Sequence, residues 1–225
     1  MADDKTILTV AVVGGTGNEG SGLAARWAAS GYNVIIGSRD AARAEQKADE
    51  LNTLLGAGIV SGLDNLTAAT RADLVVLSVP YSAHQATLET IREAVQGKIL
   101  VDVTVPLNTS RVSVVHLPEG QAAALEAQAL LGEDVQVVAG FQNVSAEHLK
   151  DPDHVIDCDV LVCGNSKEAK AEVIRLVEAA GMRGYDAGRL ENAIAIESLT
   201  PVLISLNIRY KVKAAGIRIT GIDKA

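Results

Sequence analysis

Three glycines near the start of the chain, Gly15, Gly17 and Gly20, have the spacing G-x-G-x-x-G. Glycine-rich turns are common, but this one follows the apolar segment TILTVAVV and opens a helical pattern that carries Leu23 and Trp27. In a strand–turn–helix unit, such glycines permit a sharp turn, close approach of the backbone to a pyrophosphate, and tight helix packing. The free N–H groups of the new helix attract phosphate. The loop therefore predicts a dinucleotide site, with a purely structural turn as the alternative.

The end of the second expected strand indicates which dinucleotide binds. NAD-binding proteins usually carry Asp or Glu there, about 20 residues beyond the loop, to bond the ribose hydroxyls. Here the segment NVIIGSRD places Ser38 and Arg39 at that point, and Arg43 follows one helical turn later. A hydroxyl and two guanidinium groups suit a dianionic 2′-phosphate. The sequence therefore favours NADP over NAD; the alternative is a helix start capped by Asp40 with solvated arginines.

A central parallel sheet is expected to position these residues. Short β-branched runs alternate with longer helical stretches, which is typical of parallel strands joined by helical crossovers. One of these helices is expected to begin at an Asp40 cap and to stop at Gly56. We expect strands near residues 6–13, 32–37, 58–61, 73–79, 98–103 and 134–140.

The character of the sequence changes after residue 140. A polar stretch is followed by a strand, CDVLVCG, then by a helix from Ser166 to Gly181, and by a short strand around RGYDA. The last apolar segment is expected to be helical, with a break or bend near Pro201. We interpret residues 1–140 as an NADP-binding domain and residues 141–225 as a smaller α/β domain.

Composition and charge restrict the function classes. A net charge of −8 works against general binding to nucleic acid or anionic membranes, which needs an excess of Lys and Arg. No apolar run approaches the roughly 18 residues that cross a bilayer. The segment MADDKTIL lacks the pattern of a signal peptide, so we expect a cytoplasmic protein.

The cysteines and histidines do not predict a metal site. Cys158 and Cys163, five apart, match neither a C-x-x-C redox pair nor a common zinc pattern, and on a strand they would point to opposite faces. We expect reduced thiols and no bound metal. His84 and His116 stand alone in the sequence and are expected to be structural or solvated.

Several motifs occur in a characteristic order along nearly the whole chain: GGTGNEG, GSRD, VPYSAH, VTVPL, VVAGFQNVSA, DVLVCG, DAGRLENA and ESLTP. On these motifs the sequence resembles the NADPH-dependent reductases of coenzyme F420. The resemblance implies an α/β fold: a Rossmann-like, doubly wound parallel sheet with a small C-terminal α/β domain. It also implies a homodimer that exchanges a hydride between NADP(H) and the deazaflavin of coenzyme F420, with residues 141–225 completing the deazaflavin site and the dimer contact.

The resemblance further implies which residues hold NADP. Around the pyrophosphate it places the glycine-loop residues Gly15, Thr16, Gly17, Asn18, Glu19 and Gly20. Around the 2′-phosphate it places Ser38, Arg39 and Arg43. Tyr81 and Gln85 would touch the NADP ribose or its neighbours.

A second implied set surrounds the two redox rings. Leu107 and Ala146 would lie near the nicotinamide, and residues 141–145, including Phe141, Gln142 and Val144, would form a floor for the deazaflavin. For Tyr81, Leu107 and Phe141, ordinary apolar anchoring of a loop is the alternative.

The chemistry implied for this site needs little from side chains. Both coenzymes exchange a hydride, so the protein has to hold the two rings at reactive distance and exclude water. We therefore expect no catalytic acid–base pair and no nucleophile. The chain departs from the family at Gln142, where a relative has His, and at Glu19, where the family usually has an uncharged residue; we expect the Glu19 side chain to turn outward.

Two other functions remain open on the sequence alone. The first is an NADP-dependent reductase of a small imine or hydroxy acid, which shares the glycine loop but usually has a long all-helical second domain. The second is a non-catalytic NADP-binding sensor, which would bind the dinucleotide without turnover.

Overall fold

The structure, a computed structural model, describes residues 7–222. The strands are β1 Thr9–Val13, β2 Asn33–Ser38, β3 Val60–Asp64, β4 Leu74–Leu77, β5 Ile99–Asp102, β6 Gln136–Ala139, β7 Asp159–Gly164 and β8 Arg183–Asp186. The helices are α1 Asn18–Ala29, α2 Ala41–Leu55, α3 Asn65–Arg71, α4 Tyr81–Ile91, α5 Ala123–Leu131, α6 Ala146–Leu149, α7 Lys167–Ala179 and α8 Ala193–Tyr210. All the strands expected from the sequence are present, although residue 6 of the first one lies outside the described residues.

The strands form one sheet in the order β3-β2-β1-β4-β5-β6-β7-β8. Strands β1 to β6 are parallel, β7 runs antiparallel to β6, and β8 is parallel to β7. Because the glycine loop and the residues after β4, β5 and β6 all follow carboxyl ends of parallel strands, they meet at one edge of the sheet. The expected α/β class and Rossmann-like, doubly wound sheet are confirmed.

Helices cover both faces of the sheet, and each face has its own apolar core. Alternate residues of β1 divide between the two: Val10 and Val12 pack under α1, α2 and α7, whereas Ala11 and Val13 pack under α3, α4, α5 and α8. This is why β1, β4 and β5 are nearly continuous in apolar residues. Cys158 and Cys163 are free, buried and in opposite cores, as expected.

Helix α2 shows how local sequence sets an element that the site needs. The Asp40 carboxylate accepts a hydrogen bond from the backbone N–H of Ala42 (3.1 Å), and Gly56 ends the helix in the left-handed conformation with a φ of 64°. A Cβ at Gly62 in β3 would lie 2.2 Å from the backbone of Ala44 in α2. The close packing of α2 on β3 therefore requires glycine there, and it fixes Arg39 and Arg43 relative to the sheet.

Helix α1 joins the first part of the chain to the last. The Trp27 indole N–H donates to the carbonyl of Leu176 (2.9 Å), and its ring meets that of Phe141 edge-on at 5.8 Å. The Arg26 guanidinium donates to the carbonyl oxygens of His148, Asp151, His154 and Ala180. The division into domains at residue 140 stays a prediction, and across that point the sheet continues into β7 and β8.

Helix α8 runs from Ala193 to Tyr210 without interruption, with Pro201 inside it. The break that the sequence suggested there is absent. Within residues 7–222, no helix is both long enough and apolar enough to cross a membrane.

Candidate functional site

The glycine loop is built from contacts that only glycine permits. Gly14 has a φ of 76°, and a Cβ on it would lie 2.4 Å from the Ser78 carbonyl oxygen. The N–H of Gly15 donates to the carbonyls of Val12 and Gly37 (3.0 Å each), which closes the turn against β2. A Cβ at Gly20 would lie 2.9 Å from the Cα of Gly15. The loop is therefore packed down onto the ends of β1, β2 and β4.

Gly17 differs from these glycines because the space beside it is open. It is the N-cap of α1 and supplies no side-chain acceptor, and a Cβ at this position would have its nearest neighbour 3.7 Å away. The first-turn N–H groups of a helix have no intrahelical partners, and they attract anions. Gly17 therefore leaves a path for a phosphate to reach the start of α1.

A cleft of about 710 Å³, the loop cleft, joins Thr16 and Gly17 to Ser38, Arg39 and Arg43. Both arginines are exposed, and neither guanidinium has a hydrogen-bond or ion-pair partner within residues 7–222. Asp40 nevertheless caps α2, so the cap and the free cations coexist. The structure thus brings together the residues expected at the 2′-phosphate, beside the loop expected at the pyrophosphate.

A second cleft of about 410 Å³, the adjoining cleft, opens between α3 and α4 and shares Ser38 and Arg39 with the loop cleft. Asn65, at the start of α3, lines both clefts and is buried. Its Oδ1 accepts from the N–H of Gly14 (3.3 Å) and thereby fixes the glycine loop. Asn65 is not among the site residues expected from the sequence, although a polar residue just past β3 is a usable signal.

Asn18 and Glu19 do not line the loop cleft. Glu19 is half-buried, and the loss of hydration raises the pKa of its carboxyl to about 8. The Glu19 side chain is therefore only partly exposed, and its outward orientation stays a prediction. Because the neutral form of Glu19 is favoured near neutral pH, its repulsion of a nearby phosphate is reduced.

Tyr81 and Gln85 lie in a different place from the glycine loop. They line a cleft of about 800 Å³ between α4 and α5, the α4–α5 cleft. The Tyr81 hydroxyl donates to Glu126 (2.8 Å), and burial together with this carboxylate raises the pKa of Tyr81 to about 12. Gln85 donates to Glu89 (2.9 Å). Their contact with NADP stays a prediction.

The residues after β5 and β6 form the rest of the strand-end edge. Leu107 is half-buried beyond β5, Val144 is buried, and Ala146 begins α6. Phe141 has a φ of 74°, which is uncommon for a bulky residue, and its ring is fully buried against Trp27. The Phe141 ring is thus an anchor in the core, and its contact with a deazaflavin stays a prediction.

Gln142 is buried between β5 and α8. Its side-chain Nε2 donates to the backbone oxygen of Asp102 (2.7 Å), and its backbone carbonyl accepts from the Thr200 hydroxyl (2.6 Å). Its Oε1 is buried and has no partner among the described residues. Gln142 therefore holds the loop after β6 and cannot change charge. Within residues 7–222, no group of three or more His, Cys, Asp or Glu side chains is arranged to hold a metal ion.

A family profile, full-length relatives and a solved structure identify the same family. A family profile described as "NADP oxidoreductase coenzyme F420-dependent" matches residues 9–106. The F420-dependent NADP reductase of Methanothermobacter thermautotrophicus is 43% identical over 97% of both chains. That of Methanocaldococcus jannaschii is 41% identical over 96% of this chain and 100% of its own. A crystal structure from Arthrobacter sp. FB24, whose name proposes an F420-dependent NADP reductase, superposes with a TM-score of 0.78 at 27% identity, covering 95% of this chain and 99% of that one.

The open space at Gly17 generates a test of the loop. Gly17→Ala adds a methyl group that makes only an ordinary contact in the ligand-free protein, 3.7 Å from the Gly14 carbonyl oxygen, but stands where we expect a pyrophosphate to approach. We expect the Kd for NADPH to rise about tenfold, about 1.4 kcal/mol, with the melting temperature unchanged. Gly20→Ala is the matched control, since its methyl meets the loop backbone and lowers stability by about 1–3 kcal/mol. NADPH fluorescence titration and thermal melts measure both; wild-type affinity in Gly17→Ala contradicts this account of the loop.

Proposed function

The chain belongs to the family of F420-dependent NADP reductases, and we propose that NADP(H) lies across its glycine loop with the 2′-phosphate on Arg39 and Arg43. The enzyme is an oxidoreductase that transfers a hydride between NADP(H) and coenzyme F420. The free arginine pair in the loop cleft supports this placement most strongly, because neither cation has an ion-pair partner among the described residues. The adjoining cleft, continuous with Ser38 and Arg39, then receives the adenine ring.

The remaining parts of NADP(H) follow from the direction of the strands. With the pyrophosphate at the start of α1, the nicotinamide extends over the ends of β4 and β5 towards Leu107. The segment from Phe141 to Ala146, after β6, forms the opposite wall for the deazaflavin. When bound, the two rings supply the hydride donor and acceptor carbons. The chain's own residues orient the rings, exclude water and need no nucleophile.

The electrostatics of the site suit this reaction. A charge-assisted hydrogen bond from Arg39 or Arg43 favours the 2′-phosphate of NADP and gives nothing to NAD. The raised pKa of Glu19 limits the repulsion of the pyrophosphate. Gln142 contributes hydrogen bonds but no proton transfer.

The two rival functions receive less support. A reductase of a small imine or hydroxy acid usually carries a long helical second domain, whereas residues 159–186 here add β7 and β8 to the same sheet. A non-catalytic NADP sensor would leave the segment after β6 without a role in binding a second coenzyme. Turnover with coenzyme F420 separates the sensor from the enzyme.

We also propose that the enzyme is a homodimer that uses α8. Helix α8 exposes Val202, Leu206, Ile208 and Tyr210, a larger apolar group than scattered surface residues explain.

The homodimer proposal predicts that the particle mass measured by sedimentation is twice 23.4 kDa, the mass of one chain. Leu206→Glu should shift the population towards monomer, and a wild-type monomer at micromolar concentration contradicts the proposal. A cytoplasmic location stays a prediction.

Arg39→Ala tests the placement of the 2′-phosphate. Loss of one charge-assisted hydrogen bond of about 1.5–3 kcal/mol should raise the Kd for NADPH about tenfold to a hundredfold and leave that for NADH nearly unchanged. Arg71→Ala, which removes an exposed arginine outside both clefts, should alter neither. Fluorescence titration with each dinucleotide gives the four values, and equal losses of NADPH and NADH affinity contradict the placement.

The same preparations test the reaction itself. NADPH should bleach the visible absorbance band of oxidised coenzyme F420 in the presence of wild-type enzyme, and NADP should restore that band from the reduced form. If the absorbance band does not change in either direction, the proposed function is contradicted, whatever the affinities for NADPH and NADH are.

A further inference from the structure

Two buried titratable side chains near the site are not used by the reaction described above. The Asp102 carboxylate, at the end of β5, has no exposed surface, and His84 of α4 is 2% exposed. Nε2 of His84 is hydrogen-bonded to Oδ2 of Asp102 at 2.7 Å. Desolvating such a pair costs about as much as its attraction returns, so the pair is weak evidence of added stability. The pair matters because it fixes the positions of the segments that follow β5 and β6.

Asp102 is hydrogen-bonded to both segments that flank the proposed ring site, one after β5 and one after β6. Its Oδ1 accepts from the backbone N–H of Thr104 (2.9 Å), at the start of the segment that leads to Leu107. Its backbone oxygen accepts from the side chain of Gln142 (2.7 Å) and from the N–H of Gly140 (3.4 Å), in the segment after β6. Asp102 therefore sets the position of the two walls relative to each other.

The contacts continue on both sides of Asp102. Thr200 of α8 donates to the carbonyl of Gln142 (2.6 Å), and His84 ties Asp102 to α4. A hydrogen-bonded chain thus runs from α4 through β5 and the segment after β6 to α8. Phe141, in the left-handed conformation inside that segment, is the kind of strained residue that persists only when its surroundings fix it.

The charges around His84 favour its protonated form. Asp102 faces it from β5, Glu126 from α5 and Glu197 from α8, and the Tyr81 ring of α4 lies 6.0 Å away. Burial alone lowers the pKa of His84, but the hydrogen bond and charge of Asp102, with the charge of Glu126, raise it above its ordinary value overall. Glu197 adds to this effect only when ionised, because burial raises its own pKa to about 8. His84 also lines the α4–α5 cleft, through which solvent protons can reach the ring.

We propose that His84 is a positioning residue for hydride transfer: through Asp102 it fixes the segments after β5 and β6 at the spacing that the two redox rings require. The inference rests on the proposed function for its reaction, but its structural part concerns the ligand-free protein. It differs from a general stabilising role in one respect. Loss of His84 should affect ring alignment while binding at the distant adenosine end is preserved.

The experiment compares His84→Ala and His84→Gln with the wild type. Glutamine can donate to Asp102 from its amide nitrogen, whereas alanine leaves the carboxylate buried without that partner. His116→Ala is the matched control, because His116 lines the same cleft but has no contact with Asp102. Single-turnover kinetics, NADPH titration and amide hydrogen exchange are measured for each.

In His84→Ala, hydride transfer should slow about tenfold or more, since small misplacement of reacting atoms has effects of this size. The Kd for NADPH should stay within about twofold of the wild-type value. In the ligand-free protein, hydrogen exchange should accelerate at the Thr104 amide and across residues 140–146 and stay unchanged in β2. His84→Gln should recover the rate and the protection that the wild type has on the alkaline side, where His84 is also an uncharged donor, and His116→Ala should match the wild type at every pH.

The pH profile gives a readout that packing alone does not move. With a raised pKa, the stabilisation from protonated His84 is complete at low pH and is lost as the pH rises through that pKa. The wild-type transfer rate should therefore decline on the alkaline side to the level of His84→Gln. The glutamine variant donates one uncharged hydrogen bond at every pH and should lack that decline. This comparison decides the question if His84→Ala fails to fold.

Wild-type rate and protection in His84→Ala would overturn the proposal, as would a glutamine variant with the same alkaline decline as the wild type. The proposal would also be contradicted if the transfer rate and the exchange protection were no higher in His84→Gln than in His84→Ala. If the wild type transfers no hydride, the proposed function fails, and hydrogen exchange still decides whether His84 holds the two segments.

Discussion

The crossing of the glycine loop over the end of β4 is the constraint on which the site depends. A side chain at Gly14 would overlap the Ser78 carbonyl, so only glycine lets the β1 loop lie directly against the start of the β4–α4 connection. The glycine loop is thereby placed next to the residues that follow β4. Helix α1 then connects the glycine loop to the residues that follow β6, because Arg26 and Trp27 contact those residues.

An acidic chain that binds a polyanionic coenzyme has to separate its charges. The net charge is −8, yet the loop cleft contains two arginines with no partner in the described part of the chain. Glu19, in the first turn of α1, has a raised pKa through burial, and Asp40, which lines the loop cleft, is occupied in capping α2. Overall charge therefore works against non-specific polyanion binding, while the arginine pair is the proposed site for one phosphate.

Features set by local pattern were predictable from the sequence, and features set by distant contacts were not. The strands follow from their apolar runs, and α2 follows from Asp40, its apolar spacing and Gly56. The glycine loop and Arg39 are recognisable because their roles depend on short spacings. Asn65 and the His84–Asp102 pair were missed, since their partners are 51 and 18 residues away in the chain. The burial of Glu19 and the left-handed backbone of Phe141 depend on how α1 and β6 pack, which no nearby residue indicates.

The central claim is that the enzyme holds the nicotinamide and the deazaflavin together so that a hydride passes directly between them, shielded from water. The most direct test uses NADPH labelled with deuterium at the transferable position of C4, mixed with enzyme and oxidised coenzyme F420 in ordinary water. Mass spectrometry of the reduced coenzyme should find one deuterium at C5 in nearly every molecule. Reduced coenzyme F420 that carries hydrogen from solvent, or no reduction at all, would contradict the account.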